Sequence, residues 1–507
     1  MDPGPAKMGT SAPQRWLPSL VSGGLLTLAV AVAARIAELP IQWVPGGDSD
    51  EINVLTLIVG IMLPACLFWW LLVGRSGRAG ILRGGVTGVL VACLSYPAVA
   101  LVAEFLQPDW QSRSGAPLLL ERLAHVLELS GFGLLTTGFA TTIVLALVGM
   151  LTGAVEGHLA KPRRPTDAAE WPRRITSHAF QALAFGATAV VILLVAAFIW
   201  LSLLPIEPLS PQGGAPPAAS YADAIVAFAA LRERESAMAL HPRCGSMLLT
   251  HGQKVERVVV FFHGLTNCPA QADELAPFFF AEGYNVLVPR LPGHGEADPL
   301  TMALADITAE NLADTAASSI ALAHGLGEDV IVLGLSAGGT MAAHQAQNDG
   351  TIATSLAVAP FFAPSIVPQW AAPAATNLLL RMPNLMVWWD PRAPYSSQEM
   401  DYAYPRFATH ALAQIMRLGR IVSTEARADA PLTPHIGFLL NEADLAINNR
   451  LAQRVAAAWR GHGHPVELEV IPYAKRLPHD LIDPRQADAA VDIVYPILAE
   501  MISSSSP

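Results

Sequence analysis

Asp329 to Gln347 reads DVIVLGLSAGGTMAAHQAQ, and this stretch carries the decisive pattern of the chain. Its first part, DVIVL, is a short β-branched apolar run of the kind that forms a buried strand, and AGGTMAAHQAQ has the composition of a helix. Between them stands Gly334-Leu335-Ser336-Ala337-Gly338, a G-x-S-x-G spacing. A serine hydroxyl is a poor nucleophile unless it is exposed and aligned with a base. A sharp strand-to-helix turn provides the exposure, and the flanking glycines relieve crowding there. The spacing alone is weak, because small residues cluster by chance. A strand before it and a helix after it make it strong, and the competing reading is a Gly/Ser turn without chemistry.

Outward from this turn, strand-like runs recur at Val258–Phe262, Asn285–Val288, Ser355–Ala359, Ile436–Leu440 and Val466–Ile471. Helical stretches at Gln271–Ala281 and Ala309–His324 separate some of them. Near-continuous apolar strands alternating with amphipathic helices predict a mostly parallel sheet covered on both faces. The gap from Phe361 to about Pro434 is too long for a structureless loop. Its helix-like pieces and aromatics, among them Trp370, Trp388, Trp389, Tyr395, Tyr402 and Tyr404, suggest an inserted cap at about 361–434.

Acyl chemistry at Ser336 requires two N–H donors for the developing oxyanion. Ala337, directly after the nucleophile, supplies one. His263-Gly264-Leu265-Thr266-Asn267 follows a strand end, and Leu265 is the expected second donor. His263 itself is expected to pack and hold that loop. The acid belongs just after a late strand, where Asp444 sits in NEADLAI, with Glu442 as its rival. The base belongs after the last strand, where His479 stands in Leu477-Pro478-His479-Asp480. His462 and His464 lack a third ligand at metal spacing, so no metal or other cofactor is expected.

The order Ser336, Asp444, His479 is that of α/β hydrolases. From about residue 240 to 500 the chain resembles that superfamily, and most of all its bacterial carboxylesterase, monoacylglycerol-lipase-like and serine-aminopeptidase-like branch. HGLTNCP, PRLPGHG (Pro289–Gly295), GLSAGG, the acid turn at Asp444 and His479-Asp480 carry the resemblance. It implies a Ser–His–Asp mechanism and a helical cap over an acyl-binding pocket. It covers only about half of the chain.

The other half is different in kind. Apolar residues make up 52% of the 507 residues and charged ones 14%, and the apolar excess is concentrated before about residue 205. Five runs, at about 20–39, 54–73, 84–105, 129–155 and 179–204, are long enough for membrane spans, which take roughly 20 helical residues. They predict an all-α transmembrane bundle over 1–205, a Pro/Gly-rich extended linker over 206–220 and a catalytic domain over 221–507. Lys and Arg concentrate in the N-terminal tail, the second loop and the fourth loop, the last with Lys161, Arg163, Arg164, Arg173 and Arg174. Basic loops stay in the cytoplasm. Five spans therefore leave the N-terminus inside and the catalytic domain outside, as in a bacterial inner-membrane protein. Two readings compete: a cleaved signal peptide in place of the first span, and a fourth run that does not span fully, which would reverse the side of the catalytic domain.

In an extracytoplasmic domain Cys244 and Cys268 could form a disulfide steadying the oxyanion loop. The net charge of −11 and the lack of a basic cluster in the C-terminal half argue against nucleic-acid binding. The expected partners are the membrane and a small-molecule or lipid-like ester. Peptidase, thioesterase and acyltransferase activities use the same triad. A membrane sensor or scaffold that only binds ligand is the alternative from another class.

Overall fold

The computed structural model describes residues 196–210, 216–389 and 401–503, with short pieces at 41–42, 52–53, 65–69, 71, 85–91, 145–146 and 150. The chain divides into two compact units, Met1–Trp200 and Leu201–Pro507. The five expected spans lie mostly outside the described residues. Among the described residues, no helix is long and apolar enough to cross a membrane. In the first unit the small residues at 85–91 permit a close approach. A Cβ on Gly88 would collide with the Leu145 carbonyl, so only glycine fits that contact.

The second unit is built on a seven-stranded sheet. Its strands are β1 (Met247–Leu249), β2 (Val255–Phe262), β3 (Asn285–Val288), β4 (Gly327–Leu335) and β5 (Thr354–Val358), and then, beyond an insertion, β8 (His435–Asn441) and β9 (Val466–Ile471). They lie in the order β9-β8-β5-β4-β2-β3-β1. Every neighbouring pair is parallel except the antiparallel edge β1–β3. Val258 to Phe262 are all buried, which is what a central strand covered on both faces requires. The six strands read from the sequence are present. β1, a three-residue edge with no usable periodicity, is the strand of this sheet that the sequence reading missed.

Helices α1 (Tyr221–Ser236), α2 (Leu275–Ala281), α3 (Ala309–Ala323), α4 (Ala337–Asn348), α7 (Asn449–Gly461) and α8 (Val491–Ser503) accompany the sheet. Local chemistry starts several of them. Thr308 and Asn311 form a reciprocal capping box on α3, and Ser220 and Asn448 cap α1 and α7. Leu275, Phe279, Leu287, Leu291 and Phe261 are among the largest side chains sealed in the core. Each such burial contributes roughly 1.5–3 kcal/mol.

The region expected as a cap has two parts with different roles. Its last piece, α6 (Thr409–Ala428), packs against α4 and α7 and buries Ile415, Met416, Leu418 and Val422, so it belongs to the sheet's helical layer. The part standing off the sheet is α5 (Ala372–Leu379) and the antiparallel pair β6 (Met386–Trp388) and β7 (Arg406–Ala408). Arg420 of α6 holds α5 through the Pro373 carbonyl, at 3.1 Å. Tyr395 lies outside the described residues.

The end of the run read as the fifth span and the start of the stretch read as an extended linker are both held to the domain. Asn377 of α5 donates to the carbonyls of Leu201 and Leu204, and the Arg417 guanidinium of α6 donates to those of Glu207 and Pro208. Arg417 also pairs with Glu310 of α3 at 2.7 Å and holds that carboxyl below its ordinary pKa. Farther on, Ala218 donates its amide to Ala321. Prolines and glycines left this segment without a propensity signal. Buried donors on α5 and α6 decide its path instead. Arg417→Met should lower stability by roughly 2–3 kcal/mol, less than stripping a fully buried pair, because Glu310 keeps some contact with water. It should also open residues 201–210 to protease. A variant with wild-type urea midpoint and cleavage pattern would contradict this account.

Candidate active site

β4 ends at Leu335 and α4 begins at Ala337, so Ser336 is the whole turn between them. Its φ of 56° and ψ of −111° are costly for a residue with a Cβ, on the order of 1–3 kcal/mol. The surroundings enforce this conformation. The Ser336 amide donates to Val358 at 2.9 Å, and its carbonyl accepts from the amides of Thr340 and Phe361. Close packing needs the glycines: a Cβ on Gly338 would collide with the Phe262 carbonyl, and one on Gly334 would collide with that of Gly338.

The loop after β2 faces this turn, with the Cβ position of Gly264 3.8 Å from the Ser336 Cβ. His263 is fully buried, and its two ring nitrogens have fixed roles. Nε2 accepts from the Leu291 amide at 3.2 Å, so the proton sits on Nδ1, which donates to the Gly264 carbonyl at 3.0 Å. Burial, and then the neighbouring His294, hold the ring well below the ordinary imidazole pKa, so it stays neutral. His263 therefore staples the loop to the PRLPGHG turn. Among the described residues, no hydrogen bond engages the amides of Leu265 or Ala337. Cys244 and Cys268 are joined, which ties the far end of the same loop to the turn before β1.

The stand-off segment is fastened to these loops. The Trp389 indole donates to Thr266 Oγ1 at 2.9 Å, and the Tyr404 amide donates to the Thr266 carbonyl at 2.9 Å. Thr266 itself has a φ of 68°. The Tyr404 hydroxyl accepts from the Glu296 amide and donates to the Gly293 carbonyl, while the Tyr402 hydroxyl donates to Asp483.

Towards the β9 edge of the sheet, the turns after β8 and β9 bring two expected partners together. His479 Nδ1 lies 2.7 Å from Asp444 Oδ2. The other Asp444 oxygen accepts from the amides of Ala446 and Ile447, which aims the carboxylate. Glu442, the rival acid, accepts instead from the Tyr473 amide. Asn441, the last residue of β8, is a feature the sequence reading passed over. Its buried side chain donates to the carbonyls of Leu477 and Pro478, immediately before His479. The only available signal was an asparagine closing an apolar strand, which turns also use. Among the described residues, no cluster of three or more His, Cys, Asp or Glu is placed to hold a metal ion.

Residues 259–490 match the alpha/beta hydrolase family. This match, together with the parallel sheet and its antiparallel edge, supports an α/β-hydrolase fold for the C-terminal unit. Among solved structures, a monoacylglycerol lipase of Paleococcus ferrophilus is 18% identical, with 53% of this chain and 100% of that one covered and a TM-score of 0.40. A soluble variant of the monoglyceride lipase from Saccharomyces cerevisiae, in complex with a substrate analogue, is 13% identical over 52% of this chain and 91% of that one, with a TM-score of 0.42. A structure from work on the metagenome-derived lipolytic enzymes LipS and LipT is 18% identical over 52% and 99%, with a TM-score of 0.39. No curated protein matches the chain.

Burial alone would lower the His479 pKa, but the Asp444 charge, the Asp444 hydrogen bond and the Asp480 charge outweigh it and raise it. The side chain remains 27% exposed, so the ring whose protonated form its neighbours favour is also reachable. A base must be neutral to accept a proton, and a raised pKa keeps it protonated to higher pH. The rate of labelling by a fluorophosphonate should therefore rise with pH, with a midpoint above the ordinary imidazole value of 6.5. A rate independent of pH down to 5 would rule out His479 as the base.

Proposed function

We propose that the chain is a membrane-anchored serine hydrolase that cleaves carboxylic esters of lipid-like character through an acyl-enzyme. The observation that carries this reading is the strained, enforced backbone of Ser336 at a strand–helix junction, in a domain that also pairs His479 with Asp444. Strain held this firmly at a polar residue fits a functional site better than a packing accident.

In the proposed sequence, His479 takes the Ser336 proton as Oγ bonds to the acyl carbon. The carbonyl π electrons move onto oxygen, and the amides of Leu265 and Ala337 receive that charge. Collapse breaks the ester C–O bond, and the proton on His479 goes to the leaving alkoxide. Water, deprotonated by the same ring, then attacks the acyl-serine; the acyl–Oγ bond breaks, Ser336 Oγ takes the proton back from His479, and the acid is released. Asp444 orients the imidazole throughout and stabilises its charged form.

Two features support the lipid-like substrate and the anchor. Trp370, Leu378, Leu385 and Trp389 of the stand-off segment are large apolar side chains left substantially exposed. The five apolar runs before residue 205 support membrane attachment, with the charge pattern favouring an extracytoplasmic catalytic domain. In the same compartment the Cys244–Cys268 bridge is stable.

Membranes carrying the full chain, treated with a fluorophosphonate, should label the wild type and leave Ser336→Ala unlabelled. Turnover of p-nitrophenyl esters should fall on the order of a thousandfold or more in the same variant. A wild type that turns over no acyl ester and reacts with neither a fluorophosphonate nor a smaller sulfonyl fluoride would refute the reading in favour of a ligand-binding domain.

A further inference from the structure

Asp480 follows the proposed base directly, yet its side chain reaches into the other half of the site. Oδ2 accepts from Gln271 Nε2 at 2.6 Å, from Gln486 Nε2 at 3.2 Å and from Asn267 Nδ2 at 3.4 Å. Oδ1 accepts from the amides of Ile482 and Asp483 at 3.0 and 3.1 Å, which shapes the turn that carries His479. Both oxygens only accept, the hydrogen-bonding pattern of a carboxylate. Gln271, fully buried and 209 residues away in sequence, passes the link onward: its Oε1 accepts from the Gly264 amide at 2.9 Å.

The Gly264 peptide is thereby saturated. Its N–H is taken by Gln271, and its carbonyl accepts from His263 Nδ1 at 3.0 Å and from the Asn267 amide at 3.3 Å. The next N–H, that of Leu265, has no hydrogen-bond partner among the described residues. A buried amide side chain with donor and acceptor ends both engaged has one orientation, because flipping it would set donor against donor and acceptor against acceptor.

We infer that Asp480 and Gln271 are positioning residues that lock the oxyanion loop to the turn carrying His479, so that the donor at Leu265 and the base keep a common register. This rests on the serine-hydrolase reading above. The relay acts on charge developing in the transition state, which separates it from substrate binding. Asp480 has a second effect: its negative charge beside His479 favours the protonated ring.

The test uses the full chain in membranes, with p-nitrophenyl butyrate as substrate and a boronic acid as a mimic of the tetrahedral adduct. Gln271→Leu should lower kcat 10- to 100-fold with KM within about twofold, and weaken the boronic acid by a similar factor. Asp480→Asn should move the acidic limb of the pH profile to lower pH. Gln271→Glu sets two carboxylates against each other and should be at least as impaired as Gln271→Leu. The double variant Gln271→Glu with Asp480→Asn restores a donor–acceptor link of reversed polarity. The new amide at position 480 can donate to the new carboxylate at position 271, which still accepts from Gly264. It should recover at least tenfold in kcat over Gln271→Glu alone. Recovery would also exclude misfolding as the cause of the single-variant losses.

A rise in KM at unchanged kcat, an unmoved pH limb in Asp480→Asn, or no recovery in the double variant would each overturn the relay. If the wild type neither labels nor turns over ester, the serine-hydrolase reading has failed. If the wild type is active and Gln271→Leu matches it, the relay alone has failed.

Discussion

The turn at Ser336 is the constraint on which the rest of the second unit depends. A residue with a Cβ is held at φ 56° only because the backbone on both sides has no room to relax. The carbonyl of Phe262 on β2 presses against Gly338, Val358 on β5 accepts the Ser336 amide, and Phe361 donates back to the Ser336 carbonyl. Three adjacent strands thus converge on one residue. The parallel order β5-β4-β2 places their C-terminal ends side by side, and this is where open α/β sheets build their sites.

The same logic extends outward through backbone-directed hydrogen bonds. His263 staples the first loop to the PRLPGHG turn, Asn441 grips the two carbonyls before His479, and Asp444 is aimed by two amides. Each of these side chains is buried, so an unmade bond would leave a desolvated polar group costing roughly 1–3 kcal/mol. The site is stiff because its alternatives are expensive. Trp389 and Tyr404 bring the stand-off segment into this frame by holding the hydroxyl and the carbonyl of Thr266, which couples that segment to the loop beneath it.

Legibility from sequence differed sharply between parts. Strands such as VVVFF and DVIVL were readable because burial on both faces demands an unbroken apolar run, a signal that needs no knowledge of neighbours. MLL at β1 was unreadable for the converse reason: three residues at an edge carry no period. The insertion was visible as a gap in the strand rhythm, but its division was not. α6 is amphipathic like any surface helix, and only its contact with α4 and α7 makes it part of the sheet's helical layer. The stretch over 206–220 read as extended linker because Pro and Gly carry no packing signal, whereas Arg417 holds the carbonyls of Glu207 and Pro208 from about 210 residues away.

By itself, the sequence determined the features that depend on local chemistry. Those are the sheet's near-continuous apolar strands, the serine between a strand and a helix with glycines on either side, and the order in which Ser336, Asp444 and His479 occur. Only the tertiary structure decided which partners meet: Asp444 rather than Glu442 on His479, Gln271 on Asp480, Cys244 on Cys268. A hydrogen bond or a disulfide reaches only a few ångströms, and residues 24 to 209 positions apart come that close only once the sheet has set the ends of its strands. Composition and spacing report what each segment prefers, and proximity belongs to the folded chain.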